Sequence, residues 1–203
     1  MKSTLLAIAT VFTSFSMASA QSADKLNQGD DMPSYTQSLK NASGNATTLK
    51  GAAKENGLLV MFSCNTCPFV VRNQPVTRKV VDYATAHHVG VIIINSNEAQ
   101  RDNADSYEAM QKYAKAQGYK VPYVMDNGVE LADLFGASHT PEIFLFNKQG
   151  KLAYKGAMND NPSNPDSYKV MYAENAINDI VAGKTPDPGA TKSIGCGIKR
   201  KAS

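Results

Sequence analysis

Three short runs of apolar residues divide the chain and predict the buried strands of a sheet. The runs are Gly57–Phe62, Val89–Ile94 and Glu142–Phe146. Because polar residues do not alternate with apolar ones within them, these runs are typical of strands that are covered on both faces. A turn at Lys148–Gly150 then predicts a hairpin into a further strand over 152–156.

Apolar residues at helical spacing predict the helices between these strands, over 66–87, 104–116, 129–135 and 168–182. Pro75 lies inside the first helix and predicts a kink, since proline removes a backbone donor and clashes one turn back. Two short strands are predicted around a turn at 41–44, and another over 123–125. The order of elements indicates an α/β fold, with a mixed central sheet and helices on both faces.

The first residues have the pattern of a secretory signal peptide. Lys2 supplies the positive charge, Leu5–Phe15 is mostly apolar, and Ala18–Ala20 provides a cleavage site before Gln21. This predicts cleavage of residues 1–20 and a periplasmic or secreted protein, with a domain over 21–183 and a C-terminal tail over 184–203. No later segment is long and apolar enough to predict a membrane span in the mature chain.

Composition narrows the classes of function. The 203 residues carry a formal net charge of +3, which becomes about +2 once Lys2 is removed. Charges of both signs are mixed along the chain apart from 199–201, so nothing indicates a nucleic acid partner. The length suits one domain with a substantial core.

The only cysteines are Cys64, Cys67 and Cys196, and the first two form a C-x-x-C pair where a predicted strand meets a helix. A structural zinc site needs four ligands, and no second pair exists to complete one. A static disulfide across two residues would close a small loop and stabilise little. A redox couple uses the spacing well: Cys64 is expected as the exposed nucleophile with a pKa lowered by the helix N-terminus, and Cys67 as the resolving thiol.

The export signal, the C-x-x-C pair and the segment Ala137–Phe146 together resemble the thioredoxin-like superfamily, in its exported redoxin or TlpA-like branch, which is related to the peroxiredoxins. The resemblance covers about residues 30 to 183. It implies a thioredoxin-like fold and thiol-disulfide oxidoreductase activity on protein thiols and disulfides, with no cofactor or metal. It also implies a cis bond before Pro141, facing the cysteine pair, and a Thr140 backbone that pairs with an extended substrate segment beside Cys64.

Some residues depart from the pattern of this superfamily. Many thioredoxins carry a buried acid where this chain has Met61, and Glu142 is either a substitute or a solvated residue at a strand start. Peroxiredoxins have a Pro and a Thr before the reactive cysteine where this chain has Gly57 and Met61, which disfavours a peroxidase. Alternatives are a copper-binding assembly factor using both cysteines and His139, a peroxiredoxin-like antioxidant protein, and a binding domain with a vestigial pair.

Cys196 lies in the segment 195–199, which resembles a C-terminal motif of some redoxins. The glycines on both sides of it predict a flexible tail with an accessible sulfur. Two interpretations remain open: Cys196 is a free or docked thiol, or it is a third redox thiol that reaches Cys64 or links two chains.

Overall fold

A computed structural model describes residues 26–201, and the predicted signal segment lies outside them. Its centre is a sheet of five strands: β3 (Gly57–Ser63), β4 (Gly90–Asn95), β5 (Tyr123–Met125), β7 (Glu142–Asn147) and β8 (Leu152–Gly156). Their order across the sheet is β5-β4-β3-β7-β8. Strands β3, β4 and β5 run parallel, whereas β7 is antiparallel to both β3 and β8. The predicted mixed sheet is confirmed.

Six α-helices, two 3-10 helices (Glu98–Gln100 and Asn127–Val129) and four two-residue strands complete the described part of the chain. The helices are α1 (Leu49–Ala52), α2 (Pro68–Arg72), α3 (Gln74–Ala86), α4 (Tyr107–Gln117), α5 (Glu130–Phe135) and α6 (Tyr172–Val181). The short strands are β1 (Leu39–Lys40), β2 (Ala46–Thr47), β6 (His139–Thr140) and β9 (Cys196–Gly197). β1 pairs with β2 around the predicted turn, and β6 pairs with β9.

Two hydrophobic clusters lie on opposite faces of the sheet, because successive side chains of a strand point to opposite sides. Leu59 and Met61 of β3 join the cluster that contains the apolar residues of α3, α4 and α6. Leu58, Val60 and Phe62 join the other cluster, with those of α1 and α5. Helices therefore cover both faces, and β3 is buried along its whole length.

The helix predicted over 66–87 is two helices, and the prediction of a kink at Pro75 is wrong in its position. The break lies at Asn73, which ends α2 and begins α3. The Asn73 side-chain amide donates to the carbonyl oxygens of Phe69 and Pro162, both at 2.8 Å. Pro75 lies in the first turn of α3, where a backbone N–H has no helical acceptor, so the ring is accommodated there.

The last helix begins at Tyr172 rather than at the predicted residue 168. The carboxylate of Asp160 accepts the backbone N–H groups of Lys169 (2.9 Å) and Val170 (3.1 Å). Both N–H groups therefore bond to a side chain in the preceding loop and not to the carbonyl oxygens of a helical turn. This competing interaction explains why α6 begins later than predicted. Within residues 26–201, no helix is long and apolar enough to cross a membrane.

The core beneath α5 depends on Phe135, which packs edge-to-face against Phe62, Phe144 and Phe146. We expect Phe135→Ala to lower the free energy of unfolding by about 3–5 kcal/mol, because it removes a buried ring and leaves a cavity. The matched control is Leu134→Ala, since Leu134 is 43% exposed. Urea denaturation measures both variants, and equal losses would contradict the assignment of Phe135 to the core.

Candidate active site

The cysteine pair lies where the central strand ends. β3 ends at Ser63, and its parallel neighbour β4 ends at Asn95, so both carboxyl ends meet at one edge of the sheet. Cys64 follows directly, and Cys67 caps the N-terminus of α2, with Pro68 as the first helical residue. The chain thus places both sulfurs at the sheet edge where reaction sites of α/β folds are found.

Cys64 is a free thiol that is fully buried, with an exposed fraction of 0%. Its Sγ lies 3.6 Å from the Thr140 hydroxyl. Burial is the largest influence on its pKa and raises it above the ordinary 9.0, and the negative charge of Asp105 raises it further. The expectation of an exposed Cys64 with a lowered pKa is therefore wrong for this conformation, because the hydrogen bond from Thr140 does not offset the loss of water.

Cys67 forms a disulfide with Cys196, 129 residues further along the chain, with the Cα atoms 6.1 Å apart. The Cys67 Sγ also lies 3.3 Å from the carbonyl oxygen of Thr140. Cys196 is half-buried in strand β9, so the expectation of a flexible tail with an accessible sulfur is wrong. Glycines permit flexibility, but backbone pairing and a covalent bond hold this segment in place.

Thr140 lies against both cysteines, with its hydroxyl 3.6 Å from the Cys64 Sγ and its carbonyl oxygen 3.3 Å from the Cys67 Sγ. The Thr140–Pro141 bond is cis. β6 pairs antiparallel with β9, and Thr140 is opposite Cys196 in the register. The backbone edge expected to receive a substrate segment is therefore occupied by the tail of the chain itself.

Glu142 is buried rather than solvated, with 9% exposure. Its carboxylate accepts the backbone N–H groups of Ser138 (2.8 Å) and His139 (3.0 Å). It also accepts the hydroxyl of Ser193 in the tail, at 2.9 Å. Glu142 thus fixes the loop that leads into Thr140 and ties the tail to that loop.

Asp105, which the sequence analysis did not identify, is a fully buried carboxylate beside the cysteine loop. Its Oδ1 accepts the backbone N–H of Asn65 (2.8 Å) and the side-chain amide of Asn95 (2.7 Å). Its Oδ2 accepts the amide of Asn97 at 3.1 Å. These bonds hold the residue next to Cys64 against the end of β4. The only sequence signal was the cluster of asparagines around it, which a polar loop explains equally well.

Asn65 connects this network to an aromatic cluster. The Tyr123 hydroxyl donates to the Asn65 carbonyl oxygen at 2.7 Å, and the Asn65 amide donates to the backbone of Ala104 at 2.7 Å. Tyr113 and Tyr119 pack against Tyr123. Burial raises the pKa of Tyr123 well above its ordinary value, so its hydroxyl stays protonated and acts as a donor. Asn65, the first residue between the cysteines, is therefore held by hydrogen bonds to three different neighbours.

His139 lies in β6, and its Nδ1 is 2.8 Å from the Ser138 hydroxyl. Among residues 26–201, no group of three or more histidine, cysteine, aspartate or glutamate side chains is arranged to hold a metal ion. The geometry therefore adds no support to the copper site of Cys64, Cys67 and His139.

Comparison with known proteins places the chain in a family. The family model described as Redoxin matches residues 27–171. The chain belongs to the Redoxin family. A hypothetical protein from Sinorhizobium meliloti is 31% identical in sequence to this chain. Its crystal structure matches with a TM-score of 0.78, over 89% of this chain and 98% of that one.

Two further comparisons concern thiol chemistry and the fold. The Redoxin chain is 23% identical over 154 residues to the thiol-disulfide oxidoreductase ResA of Halalkalibacterium halodurans, covering 75% of this chain and 82% of the relative. The solution structure of a thioredoxin-like protein in its oxidised form matches with a TM-score of 0.59 at 18% identity, over 77% of this chain and 97% of that one. The predicted thioredoxin-like fold is confirmed.

The negative charge of Asp105 contributes to the raised pKa of Cys64. We expect Asp105→Asn to lower the pKa of Cys64, because removing a nearby negative charge favours the thiolate. It should also lower the free energy of unfolding by about 1–3 kcal/mol, since the amide nitrogen that replaces Oδ2 cannot accept the Asn97 N–H. Alkylation rates of Cys64 measured against pH give the pKa as a midpoint, which a change in accessibility alone would not move.

Asp102→Asn is the matched control, since Asp102 is an exposed carboxylate three residues away. We expect its alkylation midpoint to equal that of the unsubstituted protein. A midpoint that is unchanged or higher in Asp105→Asn would contradict the proposed influence of Asp105.

Proposed function

We propose that this Redoxin protein is an exported thiol-disulfide oxidoreductase that exchanges disulfides with protein thiols through Cys64 and Cys67. The observation that carries this proposal is the convergence of a C-x-x-C pair at the end of the central strand with Thr140 and Pro141. The thiol of Cys64 contacts the Thr140 hydroxyl, and the sulfur of Cys67 contacts its carbonyl oxygen. One residue therefore meets both sulfurs and offers its backbone as a docking edge.

The reaction begins with the reduced pair. The Cys64 thiolate attacks one sulfur of a substrate disulfide, which forms a mixed disulfide and releases one substrate thiolate that takes up a proton. The Cys67 thiolate then attacks Cys64, which forms the Cys64–Cys67 disulfide and releases the second substrate thiol. Two electrons pass from the pair to the substrate, and the reverse sequence oxidises a substrate dithiol.

The surroundings suit these steps. Burial raises the pKa of Cys64, and the Thr140 hydroxyl, 3.6 Å from the sulfur, acts in the opposite direction because a hydrogen bond to the thiolate stabilises it. In the reduced pair, the Cys67 thiol can donate to the Thr140 carbonyl oxygen, 3.3 Å away. Membership of the Redoxin family and similarity to a relative named as a thiol-disulfide oxidoreductase support the assignment.

Export is part of the proposal, because the signal pattern precedes Gln21. In a bacterial host, N-terminal sequencing of the protein recovered from the periplasm should begin at Gln21. Recovery of the intact N-terminus from the cytoplasm would contradict export. Neither alternative, copper assembly or a peroxiredoxin-like activity, gains a specific observation from the site geometry.

Serine substitutions separate the two roles, and both are best made with Cys196→Ser as the reference protein, so that the tail sulfur cannot resolve intermediates. Cys64→Ser should lower the rate of insulin disulfide reduction at least about 100-fold, because no attacking sulfur remains. Cys67→Ser should instead accumulate a mixed disulfide between Cys64 and substrate, visible on non-reducing gels.

The same assay can also contradict the roles assigned to Cys64 and Cys67. Similar residual activity in both variants, or a mixed disulfide that forms through Cys67 in Cys64→Ser, would reverse or remove the assigned roles. Absence of activity in the reduced reference protein would argue against the proposed function itself.

A further inference from the structure

We propose that Cys196 is a third redox residue, and that the disulfide moves between two pairings that share Cys67. With Cys67 bonded to Cys196, strand β9 closes the substrate edge of Thr140. With Cys67 bonded to Cys64, the tail is released and that edge is open. This inference rests on the proposed function, because it concerns access to the same cysteine pair.

The tail occupies the edge closely. β9 pairs with β6, with Cys196 opposite Thr140 and Gly197 opposite His139. Gly195 packs directly on the backbone of Thr140, where an added Cβ would overlap the Thr140 carbonyl oxygen. An extended substrate segment cannot pair with Thr140 while these residues are present, because each backbone edge accepts one strand.

Further contacts show that this segment is docked along its length and not only at the disulfide. The Ile198 side chain is buried in the core cluster beneath α5, and its N–H donates to the Ser138 carbonyl oxygen at 3.0 Å. The backbone of Lys199 bonds both to the Asn97 side chain (3.0 Å) and to the N–H of Ala99 (2.9 Å). The guanidinium of Arg200 pairs with Asp133 at 2.7 Å.

These contacts also connect the tail to the cysteine loop. Asn97 accepts the Lys199 N–H and donates to the carboxylate of Asp105, which in turn accepts the N–H of Asn65 beside Cys64. Tail docking and the position of the cysteine loop therefore depend on one chain of hydrogen bonds.

The exchange step needs no external reagent. The Cys64 thiolate attacks the Cys67 Sγ, the Cys64–Cys67 bond forms, and the Cys67–Cys196 bond breaks. The electron pair of the broken bond leaves on the Cys196 sulfur, which takes up a proton, while Cys64 has lost one. The number of disulfides is unchanged, so the step is an isomerisation by thiol-disulfide exchange.

The cluster of sulfurs supports this step. Cys64 and Cys67 pack together with Val70, and Cys196 packs against that group. Cys67 is only 6% exposed, so its side of the Cys67–Cys196 disulfide is shielded from unrelated thiols, whereas Cys64 packs against it inside the protein.

Two glycines of the tail provide the test. A Cβ at position 195 overlaps the Thr140 backbone, whereas the nearest atom to a Cβ at position 197 is the Ser138 carbonyl oxygen at 4.0 Å. Gly195→Ala should therefore weaken tail docking, and Gly197→Ala should be tolerated. Neither substitution touches a sulfur.

The proteins are equilibrated in a glutathione redox buffer, blocked by alkylation, and mapped as non-reduced peptides. We expect the unsubstituted protein to contain both pairings. In Gly195→Ala, the ratio of Cys64–Cys67 to Cys67–Cys196 should rise at least about fivefold. In Gly197→Ala, the ratio should stay within about twofold of the unsubstituted protein. Ile198→Ala should shift the ratio in the same direction as Gly195→Ala. It provides a second test of tail docking if Gly195→Ala folds poorly.

Two results would overturn the inference: a Cys67–Cys196 bond that is absent from the oxidised protein, or the same ratio in both glycine variants and Ile198→Ala. Insulin reduction by the fully reduced protein is measured separately, since its tail is not tied by a disulfide. If the reduced protein does not reduce insulin but the ratio of the two pairings responds as expected, the proposed function is contradicted and the disulfide exchange is still supported. Normal activity with an unresponsive ratio would contradict the exchange alone.

Discussion

The site depends on the pairing of β3 with both of its neighbours. β3 is parallel to β4 and antiparallel to β7, so it lies in the middle of the sheet and is buried throughout. A strand in this position has every backbone group paired, and its end is fixed by its neighbours rather than by a flexible loop. Cys64 follows the end of β3, so its place is set by the core.

The polar groups at this edge are satisfied inside the protein. Asp105, Asn65, Asn95 and Asn97 are buried, and each takes part in a hydrogen bond of the network. A buried polar group without a partner is costly, and a charge more so. The network therefore needs all of its members, and it holds the cysteine loop in a defined geometry. The same charge that anchors the loop disfavours the Cys64 thiolate, so anchoring the loop opposes activation of the thiol.

Thr140 lies at the junction of the three cysteines. Its hydroxyl contacts Cys64, its carbonyl oxygen contacts Cys67, and its backbone pairs with Cys196. Glu142 fixes the loop before it through two backbone N–H groups. A residue with three such contacts couples the redox pair to whatever strand lies on the edge of β6. In this conformation that strand is β9 of the tail, so the geometry of the site is coupled to the docking of β9.

The sequence by itself determined the sheet, since the apolar runs that predicted β3, β4, β7 and β8 agree with the observed strands to within one residue at each end. Spacing placed Cys64 and Cys67 at the end of a buried strand, whereas Thr140 and Pro141 were assigned to the site by the resemblance to the thioredoxin-like superfamily. The contacts of Thr140 with both sulfurs come from the fold. The break at Asn73, the anchoring by Asp105 and the pairing of Cys67 with Cys196 were decided only by the tertiary structure. Each depends on partners that are distant in sequence: the carbonyl of Pro162, the amides at the end of β4, and a sulfur 129 residues away. Local periodicity reports which side of an element is buried, but it carries no information about which distant polar group or sulfur the fold brings into contact.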